Sequence, residues 1–317
     1  MKIAFHENQL GIRGTSVAMY DYAHFNETLL GNTSIILYNK NHVYNDPIGI
    51  KRFSDRFKVF SYEKWEEVEK IIEDEKIDIL YMIKGGEFDG KISKKCKTVV
   101  HCVFQNYEPH GDVYAYIAKW EAEKMSGGKL PYVTHMFNLP SPNRNIRKEL
   151  RIPENAIVFG RHGGFDEFNL PFVHKAVEKA ALNNKFIYFI FVNTRQFCMK
   201  LPNIIHLDPI TDLQEKSNFI NSCDAMLHGR ELGEIFSMSI GEFLTCGKPV
   251  LSWPGGSDEG HHHMLKEQAL WYRNAEELYN LLINFSSIRR EPEVYKNLVS
   301  EYTPENVMKD FKRVFFD

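Results

Sequence analysis

Apolar and polar positions alternate along the chain with two different periods, and the two kinds of segment follow one another almost from end to end. Short runs rich in β-branched residues predict strands, whereas apolar positions three or four residues apart predict helices. Ala18, Tyr22, Phe25 and Leu29 form one such helical stripe. In the first half of the chain the predicted strands are Ile3–Phe5, Ser34–Leu37, Lys58–Phe60, Asp78–Ile83, Thr98–Cys102 and Tyr132–Thr134. This order is typical of a parallel sheet covered by helices.

A second series of the same kind follows a segment with two prolines. Leu139–Arg144 has no periodicity, so we interpret it as a linker. Thr303 and Pro304 predict the start of a terminal helix, whose apolar face needs a surface to pack against. Between these points the predicted strands are Ala156–Phe159, Phe186–Val192, Asp224–Leu227 and Pro249–Trp253, and the predicted helices are one opened by Pro171, one through Glu242 and one over Ala275–Phe285.

The length of the chain indicates two domains, because 317 residues exceed what one hydrophobic core usually organises. We predict a Rossmann-like domain at residues 1–140, a second Rossmann-like domain at residues 145–302, and a C-terminal helix at residues 303–317 that packs back toward the first domain. The predicted fold class is α/β, with the two domains facing each other across a cleft. Ligands are expected in that cleft, at the carboxyl ends of the strands.

Composition and charge exclude several classes of protein. Apolar residues make up 43% of the chain and charged residues 26%, as in folded soluble proteins. The net charge of −3 gives no overall attraction to nucleic acid, so no nucleic-acid partner is predicted. No run reaches the roughly 18 apolar residues of a spanning helix, and the start does not resemble a secretion signal, which predicts a cytoplasmic location. The five cysteines lack a C-x-x-C pair and are predicted to be reduced.

The segment His228–Phe243 carries the most chemical information. It follows a predicted strand and leads into a predicted helix, so Gly229 and Gly233 lie in a loop whose backbone N–H groups can face an anion. Glu234 is predicted at the junction of loop and helix, and Glu242 about two turns inside the helix. Two carboxylates beside a helix N-terminus complement a sugar nucleotide, which has hydroxyl groups at both ends and negative charge between them. A solvated helix face is the alternative interpretation.

The spacing of Glu234 and Glu242, followed by Gly247-Lys248-Pro249-Val250, resembles the E-x7-E signature and G-K-P-V strand of retaining glycosyltransferases with the GT-B fold, family 4 in particular. The resemblance covers most of the second half of the chain, and the first half only by the order of its elements. It implies that Glu242 binds the donor ribose and that Glu234 contacts the transferred sugar as a catalytic residue. Ser237 departs from the family, which usually has glycine there. The backbone that the resemblance assigns to the diphosphate is that of Ile235, Phe236, Ser237 and Met238.

Arg161 is a second candidate, predicted to follow the first strand of the second domain. Gly163 comes two residues later, and a glycine at a strand end lets the backbone approach a ligand. A guanidinium binds phosphate oxygens as a planar fork and stays charged at neutral pH, so we assign Arg161 to the diphosphate and to catalysis, with a surface role as the alternative. The family usually adds a lysine a few residues later, and none comes before Lys175. Arg195 and Arg230 are the candidates for a second cation.

The first domain offers fewer candidate residues. Gly11 and Gly14 resemble the glycine-rich first loop of GT-B enzymes, although a tight turn explains them equally well. The loop lacks the G-x-G-x-x-G pattern, so NAD is not predicted. His101 ends a strand and is a candidate catalytic residue that hydrogen-bonds to the donor sugar. His110 lies in a loop before a predicted aromatic helix and is a second candidate for this contact. A structural role is the alternative for both histidines.

No residue is predicted to bind a metal, because the run His261-His262-His263 cannot direct three imidazoles to one zinc ion. We therefore predict a metal-independent glycosyltransferase that needs no cofactor. It moves a sugar from a nucleotide-sugar donor to a hydroxyl of a glycan or another acceptor, and the resemblance implies retention of configuration. The alternatives are a nucleotide-sugar epimerase or sugar phosphorylase of the same fold, or a non-catalytic protein that binds nucleotide sugars or glycans.

Overall fold

The computed structural model describes residues 1–288 and 291–317 and divides the chain into two units, each built on its own six-stranded parallel sheet. Unit 1 comprises Met1–Met136 and Tyr302–Asp317, and unit 2 comprises Phe137–Glu301. The predicted fold class, two Rossmann-like α/β units, is confirmed. In the described part of the chain, no helix has both the length and the apolar character needed to cross a membrane.

The strands of unit 1 are β1 (Lys2–His6), β2 (Thr33–Asn39), β3 (Lys58–Tyr62), β4 (Ile79–Lys84), β5 (Lys97–Cys102) and β6 (Val113–Tyr116). Its helices are α1 (Gly14–Thr28), α2 (Pro47–Ser54), α3 (Trp65–Glu75), α4 (Lys119–Ser126) and the C-terminal helix (Pro304–Phe315). The strand order is β3-β2-β1-β4-β5-β6, so the direction of winding changes between β1 and β4. In open α/β sheets, ligands bind at the carboxyl edge of such a switch point.

The C-terminal helix buries its apolar face within unit 1. Thr303 caps it by accepting a hydrogen bond from the N–H of Asn306 at 3.4 Å. The ring of Phe311 lies 5.0 Å from that of Tyr22 and 5.2 Å from that of Tyr81, and Phe315 is fully buried beside it. The helix therefore belongs to the core of unit 1, although it is far from it in sequence.

Two local predictions in unit 1 are wrong. Tyr132–Thr134 is not a strand but makes a single bridge with Tyr116, because the side chains of His101 and Tyr22 take up the carbonyl groups of Val133 and Thr134. The aromatic segment after His110 begins as strand β6 and not as a helix. Its residues alternate, pair with β5 and are mostly buried, which satisfies a strand.

The strands of the unit 2 sheet are β7 (Ile157–Arg161), β8 (Ile187–Val192), β9 (Ile204–Leu207), β10 (Ala225–Leu227), β12 (Val250–Ser252) and β14 (Leu270–Trp271), and the short strands β11 (Gly233–Glu234) and β13 (Asp258–Glu259) pair apart from it. The helices are α5 (Pro171–Asn183), α6 (Leu213–Asn221), α7 (Met238–Thr245), α8 (Gly260–Leu265), α9 (Ala275–Ile283) and α10 (Pro292–Asn297). The sheet order is β14-β12-β10-β7-β8-β9, which puts the switch point between β7 and β10.

Candidate functional site

The polar residues predicted for the site lie at and after the carboxyl ends of the central strands of unit 2. Arg161 is the last residue of β7, and His228 directly follows β10, so both lie at the switch point of the sheet. The two strands pair in parallel, and their carboxyl ends share one edge. The buried apolar strands therefore bring together side chains that lie far apart in the sequence.

Arg161 is a buried cation with neutral partners. It is 5% exposed, and its guanidinium donates to Thr194 Oγ1 at 2.5 Å, to the carbonyl of Asn193 at 3.3 Å and to the carbonyl of Gly164 at 2.9 Å. Burial lowers the pKa of Arg161 to about 10, so the group stays charged at neutral pH. These three contacts use three of its five N–H donors and leave the others for a ligand.

Arg230 and Glu234 form an ion pair beside Arg161. Arg230 Nη1 lies 2.9 Å from Glu234 Oε2, and Arg230 Nη2 lies 3.3 Å from Glu167 Oε1. Burial works against the charge of Arg230, but Glu234 and Glu167 outweigh it and raise the pKa of Arg230. Arg161 experiences the charges of all three groups. The structure thus brings three of the predicted site residues, Arg161, Arg230 and Glu234, into one electrostatic cluster.

His228 holds the other oxygen of Glu234, which the sequence analysis did not foresee. Its Nε2 lies 3.2 Å from Glu234 Oε1, and its Nδ1 lies 2.8 Å from Ser252 Oγ. A carboxylate only accepts, so Nε2 of His228 carries the proton in this contact. Burial raises the pKa of Glu234, but His228 and then Arg230 outweigh it and hold that pKa below its ordinary value. Ser252 is fully buried, so this serine is no exposed nucleophile.

The helix after this loop begins later than predicted. Ser237 caps α7 by accepting from the N–H of Ile240 at 3.3 Å, so Glu242 lies one turn inside the helix and not two. Glu234 lies in β11 and not at the junction with the helix, because Gly233 adopts a φ of 77° and pairs closely with β13. A side chain at Gly233 would run into the carbonyl of Asp258.

The start of α7 retains backbone donors. The first bond of the helix runs from the N–H of Gly241 to the carbonyl of Ser237, so the N–H groups of Met238 and Ser239 precede the intrahelical pattern. The predicted backbone positions Ile235 and Phe236 lie ahead of the helix. Ser237, where the resemblance leads us to expect glycine, is therefore an N-cap, and its side chain accepts from one amide of the first turn.

Glu242 is bound to a lysine that the sequence analysis did not identify. Lys216 Nζ, from α6, lies 2.7 Å from Glu242 Oε1, and His162 Nε2 lies 3.0 Å from Glu242 Oε2 without hydrogen-bond geometry. Burial raises the pKa of Glu242, but Lys216 and His162 outweigh it and lower that pKa to about 2. Burial also lowers the pKa of His162, so Lys216 is the cation that keeps Glu242 ionised at neutral pH.

The remaining predicted residues lie in different places. Gly163 accepts from Asn193 Nδ2 at 2.8 Å in the loop beside Arg161. Arg195 is paired with Asp166 at 2.5 Å, and its side chain is 67% exposed. Gly14 is an exposed residue at the start of α1 in unit 1.

His101 also lies in unit 1, where it is fully buried. Its Nδ1 bonds to the hydroxyl of Tyr81 at 2.7 Å, and its Nε2 bonds to the carbonyl of Val133 at 2.8 Å. With both ring nitrogens engaged inside the core, His101 offers none to a donor sugar. The geometry favours the structural alternative for His101. His110 bonds to the carbonyl of Glu108 and to Lys84.

Two other features bear on where a ligand would bind. A cavity of about 450 Å³ lies at the amino ends of β7, β10 and β12, where Arg147 and Asp224 already form an ion pair at 2.8 Å. It is remote from the charged cluster, and the chemistry favours the carboxyl edge.

Within residues 1–288 and 291–317, no group of three or more histidine, cysteine, aspartate or glutamate side chains is arranged to hold a metal ion.

No protein-family model matches this chain, and no curated protein matches it. Several solved structures match nearly its whole length. The structure of HepE from Anabaena in complex with UDP has a TM-score of 0.70 at 13% identity and covers 99% of both chains. A glycosyltransferase from Rickettsia africae has a TM-score of 0.69 at 12% identity and covers 100% of this chain and 99% of its own.

A putative UDP-N-acetylglucosamine 2-epimerase from Listeria monocytogenes is also similar, with a TM-score of 0.64 at 11% identity over 98% of this chain and 94% of its own. Since transferases and an epimerase match at similar scores, the likeness does not separate the two reactions. At these identities it establishes the fold, and the chain has the GT-B fold of two Rossmann-like units.

Proposed function

We propose that this protein is a glycosyltransferase that binds a nucleotide sugar at the switch point of unit 2 and transfers the sugar to an acceptor hydroxyl. The observation that carries the proposal is Arg161, a guanidinium that is 5% exposed and bonded to neutral oxygens. A buried cation without a carboxylate partner is costly, and a diphosphate would stabilise it by charge-assisted hydrogen bonds. The complexes of HepE with UDP and with UDP-glucose support a nucleotide sugar as the ligand.

The proposed roles follow from where the charges lie. Cleavage of the sugar–phosphate bond develops positive charge on the sugar and negative charge on the diphosphate. Arg161, Arg230 and the first N–H groups of α7 would stabilise the diphosphate, so no metal ion is required. Glu234, held by His228, would orient the transferred sugar. Glu242 would bind the ribose, with Lys216 keeping it ionised.

We also propose that the reaction retains the configuration of the sugar, with the acceptor hydroxyl attacking from the side of the leaving group and the departing phosphate taking its proton. The E-x7-E spacing of Glu234 and Glu242 supports this assignment. The product's anomeric configuration, measured by NMR, tests it. The cytoplasmic location and the absence of a cofactor stay predictions.

Calorimetry of UDP binding tests the donor site. Replacing Arg161 with alanine should weaken binding by about 1.5–3 kcal/mol, because it removes a charge-assisted contact in a buried position. Arg273→Ala, at an unrelated arginine of unit 2 whose side chain is 72% exposed, is the matched control and should bind like the wild type. If Arg161→Ala binds UDP as tightly as the control, Arg161 does not belong to the site.

Activity assays separate the two candidate reactions. A screen of nucleotide sugars by thermal shift identifies the donor, since a ligand at 100 times its Kd adds about 2.7 kcal/mol of stability. Transfer to an added acceptor, undiminished in EDTA, is the expected result. The likeness to the Listeria epimerase favours epimerisation of the donor as the second candidate. Conversion of the donor into its epimer without an acceptor would establish that reaction instead.

A further inference from the structure

Unit 1 has a polar cluster at its own switch point, between β1 and β4. Lys84 is the last residue of β4, and Asp89 and Lys91 lie in the loop that follows it. Lys91 Nζ donates to Asn8 Oδ1 at 2.7 Å, which joins this loop to the loop after β1. His110, from the loop before β6, accepts from Lys84 Nζ at 3.3 Å. We call these five residues the unit 1 lysine cluster.

The cluster contains more positive than negative charge. Asp89 lies 2.5 Å from Lys84 Nζ and 3.2 Å from Lys91 Nζ, so two ammonium groups of the cluster share one carboxylate, while the nearby carboxylate of Glu108 accepts from the N–H of Phe88 at 2.9 Å. The side chain of Lys84 is only 5% exposed. A buried ammonium is normally compensated by its own anion, and the other partners here, Asn8 and His110, are a neutral amide and an imidazole nitrogen that accepts.

The surplus charge is accompanied by exposed rings. Phe88, in the same loop, is 54% exposed, and its ring lies edge-on 5.1 Å from the ring of His110. Phe104 and Tyr107 follow β5 and are 54% and 52% exposed. Aromatic faces beside a few fixed polar groups are typical of sites that bind small organic ligands.

We propose that the unit 1 lysine cluster binds an anionic oxygen group, a phosphate or a carboxylate, carried by the acceptor. Each ammonium has three donors and makes two of the contacts described, which leaves one donor each for the anion. The assignment to the acceptor rests on the proposed glycosyltransferase function, whereas the anion site stands on the charges and the topology of unit 1.

The test is a titration of the full chain with inorganic phosphate and, separately, acetate. It is followed through the amide NMR signals of Gly85 and Gly86, next to Lys84. Lys91→Met should weaken phosphate binding at these signals about tenfold, because it removes a charged donor. Asp89→Asn should strengthen it about threefold, because it removes the competing carboxylate. Lys95→Met is the matched control, since its side chain is 47% exposed and paired with Glu73, and it should change nothing.

Unchanged phosphate binding in Lys91→Met would overturn the anion site, and so would weaker binding in Asp89→Asn. Asp89→Asn keeps the test decisive if the lysine variant does not fold. A preference for phosphate or for acetate tells which anionic group the cluster takes. UDP binding in unit 2 is measured in the same samples. If Lys91→Met loses phosphate binding and the wild-type protein shows no sugar transfer, the anion site in unit 1 stands and the proposed glycosyltransferase function is rejected.

Discussion

Glu7 in unit 1 and Glu242 in unit 2 are buried to the same extent, each about 4% exposed. The pKa of Glu7 is nevertheless raised, whereas that of Glu242 is lowered. Burial raises the pKa of Glu7 to about 7, and the hydroxyls of Thr15 and Ser16, which donate to it at 2.6 Å and 2.7 Å, lower that pKa too little to offset the burial. Burial also opposes ionisation of Glu242, but Lys216 lowers its pKa to about 2. Burial alone therefore does not predict the charge of a carboxyl group in this protein.

The same contrast extends to the two switch points. In unit 2 the carboxylates Glu234 and Glu242 each contact a cation, while Arg161 keeps neutral partners. In unit 1 the surplus charge lies on Lys84 and Lys91. Each unit thus has positive charge at the switch point of its sheet. In unit 2 this charge is the guanidinium of Arg161, and in unit 1 it is two ammonium groups. The predictions below test this contrast.

The largest effect is expected when the ammonium group of Lys216, which pairs with Glu242, is removed. Lys216→Met should lower the free energy of unfolding at pH 7 by about 3–5 kcal/mol, because it leaves a buried carboxylate without its cation. Glu242 would then behave like Glu7, and the loss should shrink as the pH falls and the carboxyl group takes up a proton. Chemical denaturation measures both effects. Lys175→Met, at an exposed lysine of α5, is the control.

Glu242→Gln added to Lys216→Met should recover most of that stability, since it removes the unpaired charge. A single mutant as stable as the control would show that Lys216 does not set the ionisation of Glu242.

Glu234→Gln tests the charged cluster of unit 2 through its chemistry. We expect kcat to fall about 100-fold, because the neutral amide no longer stabilises the sugar as it becomes positive. UDP affinity should stay within about twofold, since UDP lacks the sugar. Glu231→Gln, at an exposed glutamate of the same loop, should leave both quantities unchanged. Equal losses of kcat and of UDP affinity would mean that Glu234 acts by holding Arg230 in place and not by contacting the sugar.

Glu7 should make the protein less stable as the pH rises, whereas an ion-paired acid such as Glu242 makes it more stable. Its pKa is raised from 4.5 to about 7, so the folded state binds more protons than the unfolded state between these values. Stability should therefore fall by about 3 kcal/mol as the pH rises through this range, and Glu7→Gln should remove this decline. For Glu242 the stabilisation is present above 4.5 and lost as the pH falls toward 2.

Thermal unfolding of the wild type and of Glu7→Gln at several pH values makes the measurement, with Glu87→Gln, at an exposed glutamate, as the control. Identical pH profiles for the wild type and Glu7→Gln would mean that Thr15 and Ser16 stabilise the charged carboxylate.

The fold was readable from the sequence wherever a strand is a continuous apolar run. Strands β1 to β5, β7, β8, β10 and β12 lie within two residues of their predicted positions. The strands β9 and β14, at the two edges of the unit 2 sheet, were not predicted, because β9 contains a histidine and is only partly buried and β14 has only two residues. β6 was assigned to a helix because its aromatic residues suit either element, and pairing with β5 decides between them.

Most charged residues of the candidate site could be predicted from the sequence, but the contacts between them could not. Arg161, Arg230 and Glu234 were predicted, and the structure brings them together. Lys216 could not be assigned to Glu242, because the two residues are 26 positions apart on different helices and meet only when the unit 2 sheet forms. His228 begins the segment His228–Phe243 that the sequence singles out, but its bond to Glu234 depends on the turn that Gly233 makes.

The smallest expected effect decides which arginine is the second cation of unit 2. Arg230 has a side chain 21% exposed and lies in the charged cluster, so Arg230→Met should weaken UDP binding about tenfold, which is close to 1.4 kcal/mol. Arg195 is 67% exposed and paired with Asp166, so Arg195→Met should change UDP binding less than about twofold, as for most surface ion pairs. Calorimetry at two salt concentrations makes the comparison. The contribution of a buried cation should persist at high salt, whereas that of an exposed one should fade. A larger loss in Arg195→Met would transfer the role to Arg195, and equal losses would mean that both arginines contact the diphosphate.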